Sequence, residues 1–153
     1  MHRMSHIRST SSFTLGADTK VLLTLAALMF LWALLLGVWK YREIVTSDAH
    51  AAHPYVDIAH RAALLYSFAL LLLATFVELG DFSELVNLLA AGAMALYFFL
   101  SVAGYCLHGY RKDTDNQFRD PEHGLPLFML TLIAVEIGAW LVLIAGFADK
   151  QLF

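Results

Sequence analysis

Four long apolar stretches alternate with short polar ones along this chain. Residues 21–39 carry no charge over 19 positions, and residues 62–77 form a second clean block lengthened by flanking helix. Residues 85–107 are uncharged over 23 positions, while residues 125–147 hold one charge, Glu136, at their centre. A helix crosses a bilayer with about 20 mostly apolar residues. The pattern therefore predicts spans near 21–39, 56–79, 85–107 and 125–147, preceded by a flexible polar tail over 1–20. The expected fold is all-α: an integral membrane four-helix bundle, a single domain over 21–153.

Local signals sharpen the ends. Pro54 suits a first helical turn, where its missing N–H is not needed, so the second helix runs from there to about Gly80. Trp39, Lys40 and Tyr41 form an interfacial anchor after the first span. That span exceeds the roughly 7–15 apolar residues of a signal peptide, and no small-x-small cleavage site follows it.

Composition agrees. The chain has 153 residues, 59% hydrophobic and 15% charged, with a mean hydropathy of +0.65; soluble domains carry about a quarter charged residues. A net charge of −3 without a basic cluster argues against a nucleic-acid partner. The single cysteine, Cys106, excludes an internal disulfide and a CxxC metal site. With four spans, Lys40, Arg42, Arg61, Arg111, Lys112 and Arg119 share one side, and Arg3, Arg8, Lys20 and Lys150 the other. The excess points to loops 1–2 and 3–4 on the cytoplasmic side of the inner (plasma) membrane.

Histidines are more lopsided than lysines. His50, His53, His60, His108 and His123 all belong to the loop 1–2 and 3–4 side. His50, His53 and His123 fit polar loops, whereas His60 and His108 sit on helices at the apolar boundary. Asp57 precedes His60 by three residues and Arg61 by four, so all three can interact on one helix surface. One outcome is an aspartate fixing the His60 tautomer so that Nε2 becomes a ligand; the other is a plain Asp57–Arg61 ion pair.

Depth adds a second layer. Tyr66 lies about 18 Å from Glu78, and Tyr97 about 20 Å from Glu84, so two tyrosines on different helices share a level. Tyr97, Ser101, Gly104 and His108 form one polar or small face of the third helix, serving either as helix packing or as a lined site. Glu136 is an intramembrane carboxyl of the kind that usually faces the bundle interior, either marking function or simply bonding a neighbour's tyrosine, threonine or histidine. Ala91/Ala95 and Ala134/Gly138 have small-xxx-small spacing that permits close helix contacts.

The chain lacks the histidine boxes of a membrane di-iron hydroxylase, and it has no nucleophile elbow, P-loop or zincin motif. What remains suits a b-type haem: His60 as the iron ligand, apolar walls for the macrocycle, and Arg61, Arg111 and Lys112 at the rim for propionates.

The stretches AHRAALLYSFA (59–69), LYFFLS (96–101) and NQF (116–118), with the order of all four spans, resemble the styrene oxide isomerases from about residue 21 onward. The resemblance implies a homotrimer with haem b between subunits, ligated by His60, and Tyr97 placing the epoxide oxygen of a hydrophobic substrate. Where that family has an asparagine six residues beyond the histidine, this chain has the bulkier Tyr66. Six residues turn a helix by about 240°, so His60 and Tyr66 face different ways, and a head-to-tail ring would let His60 of one chain meet Tyr66 and Tyr97 of the next. Asp57, Arg61, Ser101, His108 and Arg111 complete the expected cofactor surroundings. Two other classes stay open: a non-enzymatic haem protein for electron transfer or gas sensing, and a cofactor-free subunit of a membrane complex.

Overall fold

The computed structural model describes residues 14–119, 121 and 124–153. Four helices follow one another: α1 (Ala17–Thr46), α2 (Pro54–Leu79), α3 (Glu84–Arg111) and α4 (Leu125–Gln151). All four are long and apolar enough to cross a membrane, as a multi-pass membrane protein requires. His123 lies outside the described residues.

The termini explain why the helices outrun the apolar blocks. α1 begins at Ala17, inside the segment read as a polar tail, because Asp18 and Thr19 are buried there and hydrogen-bonded. α2 starts where His53 caps it: its Nδ1 accepts the Tyr55 N–H at 3.3 Å, and Pro54 follows in the first turn. Ser83 caps α3 through the Val86 N–H, and Lys112 ends that helix in the left-handed conformation, φ 53°.

α1 and α2 form the tightest pair. Leu22, Ala26, Met29, Ala33 and Leu36 line one stripe of α1 against Ala59, Ala63, Leu70, Ala74 and Val77 of α2. The alanines bring the backbones close, which is how apolar helices gain contact when lipid is as oily as they are. A Cβ added at Gly37 would lie 3.0 Å from His60 Cε1, so α1 carries its smallest residue where that imidazole packs. A Cβ at Gly109 would lie 2.8 Å from Val56 Cγ2, and this fixes the approach of α3 to α2. Ala91 and Ala95 are buried as expected. Ala134 and Gly138 are both exposed, and among the described residues nothing lies within 4 Å of a Cβ added at Gly138.

α4 is the outlying element. Its buried residues are only Leu143 and Gly146. Its C-terminal end is held by Phe76 against Trp140 and Phe147, by the Asp81 N–H on Gly146 O, and by Lys150 and Gln151 donating to the Gly80 and Leu79 carbonyls.

Two polar ties close the ends of the bundle. At one end, Asp18 Oδ2 accepts from Asn87 Nδ2 at 3.0 Å, with each residue only 4% exposed. Glu78 Oε2 accepts from Thr19 Oγ1 at 2.7 Å and from the Gly16 N–H at 3.3 Å. Both carboxylates thus sit at the α1 N-terminus, where the helix dipole favours negative charge. At the other end, Glu43 accepts from the His53 N–H and the Trp39 indole and pairs with Lys112. Tyr55 Oη accepts from the Gln117 N–H at 2.7 Å, joining loop 3–4 to α2.

Candidate functional site

His60 enters the bundle seven residues into α2, facing α1. Its Nδ1 lies 2.9 Å from the Ala33 carbonyl oxygen. A carbonyl only accepts, so Nδ1 must carry a proton, and in the neutral ring it is Nε2 that keeps the lone pair. This is the tautomer a metal ligand needs, held by backbone rather than by a carboxylate.

Asp57 does not supply that hold. Three residues rotate a helix by about 300°, leaving the carboxylate to one side of the imidazole, where Lys40 of α1 takes Oδ1 at 2.6 Å and Arg61 takes Oδ2 at 2.8 Å. Asp57 is 30% exposed and Arg61 65%, so this triad is an interfacial ion-pair cluster of modest worth. We expect Asp57→Asn to leave the His60 tautomer untouched. The imidazole nitrogen shifts measured by 15N NMR should match those of the wild type; a switch of the proton to Nε2 would show that Asp57 governs the ring after all.

The tyrosines occupy a different flank. Tyr66 stacks on Phe98 of α3, ring centroids 4.3 Å apart and planes 6° from parallel. Its polar neighbours are Ser101, Tyr105 and Glu136, and Ser101 is buried. Tyr97 packs on Phe128 of α4 at 5.5 Å. So α2 turns His60 toward α1 and Tyr66 toward α3, and within one chain the imidazole and the two hydroxyls form separate half-sites.

His108 is a second imidazole with a committed Nδ1, 2.9 Å from Asp113 Oδ1. That hydrogen bond holds the exposed Asp113 carboxyl below the usual carboxylate range. The ring lies beside Tyr55, centroids 5.1 Å apart, and Tyr55 also stacks on Tyr105; His108 thus belongs to the tyrosine flank. Arg111 is exposed at the end of α3 and makes no ion pair among the described residues.

On the His60 flank, a groove of about 270 Å³ runs between α1 and α2, lined by residues including Phe30, Ser67, Phe68 and Leu71. Ser67 and Leu71 fall seven and eleven residues beyond His60, on the same helix face. The donor set therefore fits one side of a b-type haem: one imidazole held through Nδ1, an apolar wall below it, and Lys40 and Arg61 at the rim. No three His, Cys, Asp or Glu side chains converge among the described residues, so these offer no multi-ligand metal centre.

Sequence reasoning missed three participants. Ala33 acts through its carbonyl, which no side-chain pattern reveals. Asn87 was hidden by counting only charges within the third span, although a lone amide in such a span is itself a sign of interhelical bonding. Glu43 lies past the apolar block, where its role as a hub is visible only once α1 is seen to continue to Thr46.

No protein-family model, curated protein or solved structure matches the chain.

Proposed function

We propose that this protein is a haem b-dependent epoxide isomerase of the inner (plasma) membrane. In this reading it works as a homotrimer, with loops 1–2 and 3–4 at the cytoplasmic face, and converts an apolar aryl or alkyl epoxide to an aldehyde or ketone. The observation that carries the reading is the His60–Ala33 hydrogen bond, which commits Nδ1 to the backbone and leaves Nε2 as the ring's ligating atom. The ordered resemblance of residues 59–69, 96–101 and 116–118 to the styrene oxide isomerases supplies the reaction class.

Bound through His60 Nε2, haem b supplies a ferric Lewis acid for the epoxide oxygen. The chain's own residues do the rest. The Tyr97 hydroxyl donates to the epoxide oxygen, orienting it and stabilising the negative charge that grows there as the C–O bond breaks. A hydride then moves with its electron pair to the adjacent carbon and the carbonyl forms, so that no atom or electron is gained or lost. Apolar surroundings exclude water, which would otherwise give a diol. Tyr66, at the same depth, narrows the space beside the reacting carbon. The trimer is supported by the separation of half-sites: a head-to-tail ring brings the His60 flank of one copy against the Tyr66–Tyr97 flank of the next.

Purified protein supplied with haem should turn styrene oxide into phenylacetaldehyde. Tyr97→Phe should slow turnover by about 100-fold, the usual penalty for losing one donor to a developing oxyanion, while leaving the haem spectrum unchanged. Absence of carbonyl product from a panel of aryl and alkyl epoxides would overturn the proposal.

A further inference from the structure

Glu136 takes no part in that chemistry, yet it is the chain's most exceptional residue by position. It lies about 16 Å along α4 from Leu125 and about 22 Å from Gln151, near mid-membrane by the helical rise. Among the described residues no hydrogen bond or ion pair engages its carboxyl. It opens onto a cleft of about 290 Å³ between α2, α3 and α4, whose walls include Met94, Phe98, Trp140 and Leu72.

A carboxyl at such depth is costly to leave alone, and intramembrane charges ordinarily find a partner or mark a ligand path. The chain offers no cation there: every described lysine and arginine lies in a loop or within two turns of a helix end. Nor can a second copy help, because identical neighbours around an axis normal to the bilayer repeat the same residues at the same depth. The Glu136 carboxyl is then met either by its own proton or by a positive charge that arrives on something else. The rest of the cleft suits a positive charge on an apolar body. Phe98, Trp140 and Met94 line it, two aromatic rings and a polarisable thioether of the kind that favour a cation.

We propose that this cleft is a binding site for a lipophilic organic cation, an ammonium carrying one aromatic ring, with Glu136 as its counter-charge and Phe98 and Trp140 as its aromatic walls. The cleft adjoins the Tyr66 flank through Phe98, but it uses neither His60 nor Tyr97.

The test uses benzyltrimethylammonium beside neopentylbenzene, its uncharged carbon isostere, on full-length protein in phosphatidylcholine nanodiscs. A quaternary nitrogen has no lone pair and cannot ligate iron, so the result is the same with or without haem. Wild type should bind the cation at least about tenfold more tightly than the isostere, after both are corrected for partition into empty nanodiscs. Glu136→Gln should remove that preference while binding the isostere as before, Glu136→Asp should keep part of it, and Trp140→Leu should weaken the cation selectively. Equal binding of cation and isostere to wild type, or cation affinity unchanged in Glu136→Gln, would overturn the assignment. The wild-type comparison alone decides if a variant does not fold.

Discussion

Replacing His60 with alanine should strip the purified protein of its Soret band, with haem affinity falling by at least about 100-fold. Loss of an outer-shell partner alone commonly costs a metal site 10–100-fold, and here the ligand itself would go. The fold should survive. The His60–Ala33 hydrogen bond is one neutral contact, worth about 1 kcal/mol, and the alanine side chain leaves Gly37 uncrowded on α1. Absorption spectra of His60→Ala and wild type, both expressed with ample iron and 5-aminolaevulinate, decide the matter. Undiminished colour in the variant would remove His60 as the ligand, and colourless wild type would remove the haem. His108 provides the informative contrast: its Nδ1 is equally committed, but it lies on the tyrosine flank, so His108→Ala should keep its colour.

The second large effect concerns stability. Asn87→Ala should destabilise the folded protein by about 3 kcal/mol, because Asp18 would keep its buried carboxyl while losing its side-chain donor. Removing both partners together is milder than orphaning one, so Asp18→Ala with Asn87→Leu should be more stable than Asn87→Ala alone. Unfolding in mixed detergent micelles, followed by circular dichroism for Asp18→Ala, Asn87→Leu and the pair, measures the coupling. Additive single effects would show that the two residues do not support one another.

The architecture was readable because lipid imposes a blunt rule: every backbone polar group must be satisfied internally, which leaves apolar stretches of this length only one shape. Pro54 marked the start of α2 for an equally local reason. The ends proved less legible, since Asp18 and Thr19 look like tail until Asn87 and Glu78 are seen to receive them. Within the site, helical periodicity correctly set His60 and Tyr66 on different flanks, but it could not choose among the partners of Asp57. That choice depends on Lys40, which reaches across from α1 and competes with the imidazole three residues along. Depth counting set Tyr66 and Tyr97 at one level but could not foresee that they pack on different partners, Phe98 of α3 and Phe128 of α4. It gave no hint that α4 would stand so far outside the core.

The distribution of the Asp18–Asn87 and Glu78–Thr19 bonds has a consequence for biogenesis. Both draw only on the first three helices. A nascent chain can therefore close its buried polar clasp as soon as α3 has been released from the insertion machinery, before residues 125–151 have been threaded. The last segment then docks onto a finished trio, through its C-terminal turns. A chain truncated after residue 124 and released from the ribosome should already resist extraction and proteolysis as a compact unit.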